Sequence, residues 1–246
     1  MRDLGLERAV EAAGDAGALM LASGSSWSQA SQRASLETAE GSALASAQPD
    51  PASAGQDAAA DETSLGRARQ YRLLAALLVK APDAERLRLV GAIRGDASPL
   101  GMAHFALAGA ARAADLASLQ REYFHLFVGL GRGEFLPYGS YYLTGFLHER
   151  PLARLREDMS RLGFEAVEGR PEPEDHIASL CDVMAALAED GEEEAERAFF
   201  ERHLKPWAAR FFAELELSET ARFYKPVGLF GRLFMDIEAD AFAMPS

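Results

Sequence analysis

From Leu65 onward, apolar residues recur every three or four positions, and each such run is bracketed by helix start and stop signals. "RARQYRLLAALLVKAPD" places Tyr71, Leu74, Leu77 and Leu78 on one stripe and stops at Pro82. "DAERLRLVGAIRG" forms a short second helix, and "PLGMAHFALAGAARAAD" a third whose many small residues suit close packing. "DLASLQREYFHLFVGLG" starts at an aspartate cap, ends at glycines and carries Leu119, Tyr123, Leu126 and Leu130 in register. "PLARLREDMSRLG" has Pro151 in its first turn and Gly163 at its end. Ile177, Leu180, Cys181, Met184 and Leu187 stripe the next helix. "EEEAERAFFERHLKPWAARFFAELEL" follows, interrupted near Pro206, and a last helical run covers 222–241, with Pro226 as its start or its kink. No alternating run between turn dipeptides marks a strand, and there is no solenoid repeat. The pattern predicts an all-α fold, one domain of nine or ten helices over 65–246.

Residues 1–64 break this pattern. They are rich in Ala, Ser, Gly and acids and nearly devoid of large apolar side chains, so they bury too little surface to offset their ordering entropy. They read as a disordered acidic tail in which Trp27 is the one large aromatic residue. The tail holds 3 basic and 10 acidic residues against 22 and 28 in the rest, so the helical part carries a net charge of only −6.

Charge and cysteine content narrow the function. A net charge of −13 over 246 residues argues against a nucleic-acid partner and favours a basic peptide. One cysteine, Cys181, allows neither an internal disulfide nor a cysteine-based zinc site, and its place on an apolar stripe makes it a buried, inert thiol. No stretch is long and apolar enough to span a membrane, and the first residues make a poor secretory signal, so the expected location is the cytoplasm.

The densest candidate chemistry lies in "EPEDH", 172–176, directly before an apolar-periodic run. Pro173 suits a first helical position, and Glu174 and Asp175 would then sit at the favourable end of the helix dipole. That bland reading accounts for the acids and Pro173 and leaves His176 and the second proline, Pro171, unexplained; the alternative is a stiff helix mouth that holds side chains for a partner, and the residues alone favour the plain helix start. A metal site is disfavoured, because adjacent Asp and His point about 100° apart on a helix and no second His follows at i+3 or i+4. A second candidate is "EYFHLFVGLGRGEFLPYGSYYLTGF", where a glycine loop joins two aromatic segments. It lacks the Gly-Lys-Ser/Thr ending of a phosphate loop. Tyr138, Tyr141 and Tyr142 fit equally a core rim or an amphipathic wall for a peptide. Trp207, Phe211 and Phe212 read as core, and no nucleophile elbow is present.

Taken together, "EYFHLFVGLG", "PYGSYYLTGFL", "PLARLREDMSRLG", "EPEDHIASL" and "FFERHLKPWAARFFAEL" resemble, in order and spacing, the TorD/DmsD family of redox-enzyme maturation chaperones over about 66–240. The resemblance implies a two-lobed helical domain without catalytic residues, metal or cofactor, as a monomer or a domain-swapped dimer. Its partner would be the N-terminal or signal region of an apo-molybdoenzyme catalytic subunit, with formate dehydrogenase first and a sulfoxide or N-oxide reductase second. Peptide recognition would map to Glu172, Asp175 and His176, with Tyr138, Tyr141 and Tyr142 as the wall. The competing class is a nucleotide-hydrolysing or other helical enzyme using Asp175 and His176.

Overall fold

The computed structural model describes residues 27–29, 51–166 and 172–244. Ten α-helices dominate them. In chain order these are α1 (Pro51–Leu78), α2 (Ala84–Ala92), α3 (Pro99–Ala113), α4 (Leu116–Tyr123), α5 (Gly139–Thr144), α6 (Arg150–Arg161), α7 (Ile177–Asp190), α8 (Glu193–Phe199), α9 (Ala208–Leu217) and α10 (Tyr224–Ala243). Two three-residue strands, β1 (Trp27–Gln29) and β2 (Phe164–Ala166), pair antiparallel.

Two expectations change at the start of the chain. The first helix begins at Pro51, fourteen residues before Leu65, so 51–64 are helical. The ribbon β1–β2 was not legible, since three residues are too few to show an alternation. The rest of the expected tail, 1–26 and 30–50, lies outside the described residues.

Local signals set several helix starts. The side chains of Asp83, Ser98 and Asp115 accept the N–H of Arg86, Gly101 and Ser118 at 2.8, 3.0 and 2.9 Å. After Tyr123 the helix widens into a π-turn, Phe124–Val128, and stops at Gly129 with φ +65°. A Cβ there would sit 2.0 Å from the Arg132 carbonyl oxygen, so the turn requires glycine. The turn takes Leu130 off the expected stripe; it is 97% exposed. A second π-turn, Phe200–Leu204, and the segment around Pro206 divide the long run between α8 and α9, as the proline suggested. Pro226 falls in the first turn of α10, where its missing N–H costs no helical bond.

The core is continuous. Helix α7 is its centre: eleven of its fourteen residues are buried, including Cys181, so it is apolar nearly all round rather than striped. Helix α1 packs on α7, and α9 packs on α10, which also meets α3. Gly228 and Gly231 make the α9–α10 approach close. A Cβ at Gly228 would lie 2.4 Å from the Glu216 nitrogen, and one at Gly231 2.2 Å from the Phe212 ring. A buried ionic cluster ties α1, α8 and α10. Arg67 donates to Glu238 at 2.7 Å and to Glu196 at 2.6 Å, and the Tyr71 hydroxyl donates to Glu238 at 2.7 Å. Burial pushes the Glu196 carboxyl up to about 7, Arg67 opposing and Glu238 adding, because two carboxylates share one guanidinium in a dry site.

Candidate functional site

Helices α5 and α7 start side by side because the segments leading into them are paired. Tyr138 and His176 form an antiparallel bridge. Gly139 N–H donates to the Asp175 carbonyl at 2.9 Å, and Ile177 N–H to the Pro137 carbonyl at 2.8 Å. The Asp175 side chain strengthens the junction. Its Oδ2 accepts the Ser140 N–H at 2.7 Å, so a carboxylate from one segment caps a helix that lacks a side-chain cap of its own. Asp175 is 3% exposed, and its Oδ1 and the Ser140 hydroxyl oxygen are buried without a hydrogen-bond partner.

This geometry corrects the simple helix start expected at 172–176. Pro173 is not the first helical residue; α7 begins at Ile177, one turn later. His176 is the cap, its Nδ1 accepting the Ala178 N–H at 3.1 Å. That explains the residue the bland reading could not. Its ring packs edge-on against Tyr138, centroids 5.2 Å apart. The other two acids, exposed Glu172 and largely covered Glu174, are both engaged. Glu172 accepts a short bond from the Tyr138 hydroxyl, and Glu174 pairs with Arg156 at 2.8 Å. Burial, then the Glu172 bond, push the Tyr138 phenol far above its usual range, so it stays a donor. Among the described residues no cluster of three or more His, Cys, Asp or Glu could hold a metal. Asp175 and His176 each accept a backbone N–H, an arrangement suited to holding two helix starts and not to hydrolysis.

Tyr141 and Tyr142 stand on the far side of α5. They line a cleft of about 450 Å³ with Phe135, Leu143, Arg210 and Glu214. The Tyr142 hydroxyl donates to Glu214 at 2.8 Å, and Arg210 lies over the Tyr142 ring at 5.5 Å. Arg132 donates to the Tyr141 hydroxyl at 2.9 Å. The Tyr142 ring tilts against Trp207, 5.2 Å away, so Tyr142 serves as core rim on one side and cleft wall on the other, while Tyr141 belongs to the cleft wall.

A smaller cavity of about 90 Å³ opens beside this cleft, lined by Leu143, Arg154, Asp175, Arg202, His203 and Trp207 among others. Leu143 lines both spaces, a wall common to two hollows that together are termed the trough. Leu143, Phe146 and Leu147 leave an exposed apolar stretch directly after the tyrosines of the cleft. Sequence reasoning missed Leu143, Arg154, Arg202 and His203. The available signal was the exposed apolar run after Tyr142, since Leu143, Phe146 and Leu147 continue no helical stripe. At the small cavity's edge, His203 Nε2 is 2.8 Å from the Asp158 carboxylate, which Arg202 also reaches at 2.8 Å. Burial lowers the His203 pKa against the pull of Asp158, so the ring is a neutral donor to a charged carboxylate.

A family model described as the nitrate reductase delta subunit matches residues 94–213. Chaperone protein TorD of Shewanella loihica is 27% identical over 198 residues, covering 71% of this chain and 92% of that protein. The Tat proofreading chaperone DmsD of Salmonella paratyphi A is 31% identical over 118 residues, covering 47% of this chain and 58% of that one. TorD of Vibrio cholerae is 30% identical over 105 residues, covering 38% of this chain and 48% of that one.

Proposed function

Because the chain belongs to the TorD/DmsD family of redox-enzyme maturation chaperones, we propose that it binds the N-terminal region of an apo-molybdoenzyme catalytic subunit and holds it for molybdenum-cofactor insertion and assembly. The observation that carries this reading is the trough, whose two hollows share Leu143 as a lining residue. An extended peptide needs such a surface: an aromatic wall, an exposed apolar stretch and a few fixed polar groups. Tyr141, Tyr142 and Trp207 supply the wall, Leu143, Phe146 and Leu147 the apolar stretch, and Glu172, Glu174 and Glu214 the negative charge.

A client segment with adjacent arginines matches the acids. Glu174 is already paired with Arg156, whose side chain is 56% exposed, so a client guanidinium exchanges one screened ion pair for another. Specific affinity therefore comes mainly from the aromatic wall and the exposed apolar residues after it, while the acids steer encounter and make it salt-dependent. Asp175 and His176 act by holding α5 and α7 in place. Formate dehydrogenase is the first client proposed, because "PYGSYYLTGFLHERPL" looks closest to chaperones of that branch; a sulfoxide or N-oxide reductase is the second. No helix among the described residues is long and apolar enough to cross a membrane. A cytoplasmic chaperone that meets its client before export or assembly is the reading we adopt.

The test is titration of an N-terminal peptide from the same organism's formate dehydrogenase catalytic subunit, with the corresponding sulfoxide or N-oxide reductase peptide as the second arm. Saturable binding that Leu143→Asp weakens is expected. No binding of either peptide to the folded chain refutes the reading.

A further inference from the structure

Helix α3 carries a second apolar face that the core does not use. Leu100, Ala103, His104, Leu107, Ala108 and Ala111 are buried, and α2 and α10 pack on the helix. On the outward face Met102 is 55% and Phe105 60% exposed, Ala106 and Gly109 are half-buried, and Ala113 is exposed. No charged residue precedes Arg112 in α3, and no residue of α3 is among those lining the trough. We propose that this face is an interface with a second copy of the chain, the two α3 helices packing antiparallel about a two-fold axis.

Spacing selects the partner. Met102, Ala106, Gly109 and Ala113 follow one another at intervals of four, three and four positions, the interval of a helix–helix seam. The set is symmetric about the level between Leu107 and Ala108. A copy turned by a two-fold axis at that level places Met102 opposite Ala113 and Ala106 opposite Gly109, so the larger side chain of each layer meets a smaller one. A parallel pair would set Met102 on Met102 and Gly109 on Gly109, one layer crowded and another hollow. Gly109 points the same way. Glycine inside a helix is destabilising relative to alanine. The fold gives no return for it: a Cβ there would meet nothing among the described residues nearer than Arg112 Nη2 at 4.0 Å, unlike Gly228 and Gly231. A second helix closing on this face gives that glycine a use.

Charge agrees with a second copy. A chain of net charge −13 repels its like, so self-association needs a surface free of carboxylates, and the seam is uncharged. Arg112, whose Nη1 donates to the Gly91 carbonyl at 2.6 Å, is seven positions from Phe105 and shares its flank of the helix. Reversal brings Arg112 within about 3 Å, along the axis, of Phe105 of the second copy, a spacing suited to a cation over a ring. Antiparallel helices also set each N-terminus beside the other's C-terminus, the favourable order of their dipoles. The seam is about 17 Å long. An interface of that length buries less than about 1,200 Å², the class of weak, reversible complexes. The dimer therefore depends on concentration.

Sedimentation equilibrium of the full chain, from micromolar to about millimolar concentration, tests the proposal. A reversible monomer–dimer equilibrium is expected, weakened about tenfold or more by Phe105→Glu with the helical spectrum unchanged. Should Phe105→Glu lose that spectrum, Met102→Lys carries the same test from a second exposed position. Register is read by oxidising a mixture of an Ala106→Cys chain and a Gly109→Cys chain. The two are expected to cross-link with one another in preference to themselves, and native Cys181 is buried and does not compete. A chain that stays monomeric throughout overturns the proposal. So does a dimer that Phe105→Glu and Met102→Lys leave intact, which would place the interface elsewhere. Preferential cross-linking of each variant with itself overturns the antiparallel seam. None of these outcomes depends on client binding.

Discussion

The Ser140 N–H donates to the Asp175 carboxylate at 2.7 Å, across 35 positions of sequence. This bond makes Asp175 a structural residue of the site: it fixes the first turn of α5, and with it the direction in which Tyr141, Tyr142 and Leu143 face the trough. Asp175→Ala should cost about 1.5–3 kcal/mol of stability, the range for a hydrogen bond to a charged group. Asp175→Asn keeps an acceptor oxygen and should cost less. Urea unfolding of the two variants checks this. A stability loss in Asn equal to that in Ala would show that charge, not the cap, is what matters.

Leu143 has the opposite character. It is 43% exposed and lines both parts of the trough. Leu143→Asp places a charge on the exposed apolar stretch without opening a core cavity. Stability should change by no more than about 0.5 kcal/mol, while peptide affinity falls about tenfold or more. Melting curves recorded beside the titrations separate the two effects.

Gly228 tests the α9–α10 contact. Alanine in a helix interior gains about 1 kcal/mol over glycine in propensity. Here the added Cβ meets the Glu216 backbone at 2.4 Å, and no side-chain rotamer relieves that contact. Overpacking should outweigh propensity, giving a net loss of about 1–3 kcal/mol for Gly228→Ala in chemical denaturation. A stabilised variant would mean the helices stand further apart.

His104 provides a pH test. It is 1% exposed, its Nε2 lies 2.8 Å from the Gln70 side-chain oxygen, and its ring packs on Phe230. Burial pushes its pKa down to about 4, with Asp96 opposing weakly. The unfolded chain therefore takes up the proton first, near 6.5. The stabilisation is complete above that pH and is lost as pH falls towards 4. Glu196, raised to about 7, acts in the opposite sense: its contribution is complete below about 4.5 and is lost as pH rises through 7. The wild-type profile thus hides both effects between 4.5 and 6.5. Comparison with His104→Phe removes one of them. Relative to that variant, wild type should lose about 2 kcal/mol between pH 6.5 and pH 5. A difference independent of pH would show that His104 takes up its proton as readily in the fold as in the unfolded chain.

The helical periods, the aspartate cap at Asp115 and the break near Pro206 were legible in the chain, and the structure adds caps at Asp83 and Ser98. Each is a local effect, decided within one or two turns by backbone donors and the residues beside them. The buried thiol of Cys181 was legible for the same reason, since its stripe marks an inward face. Leu130 and Pro173 were misplaced because a π-turn and an extended lead-in shift the register by a few residues, and apolar spacing does not resolve such shifts. The role of Asp175 was beyond reach. Its acceptor atoms meet a donor 35 positions away, just as Glu122 caps the start of α10 by accepting the N–H of Arg222 and Tyr224 at 2.8 and 3.0 Å. In both cases a helix with no cap of its own borrows a carboxylate from a distant element, and sequence adjacency carries no trace of it. Periodicity determined which residues form helices and which faces turn inward. Only the packing of those helices decided which carboxylates are structural and which face a partner, because the same side chain serves either role according to the donor that tertiary structure brings within 3 Å of it.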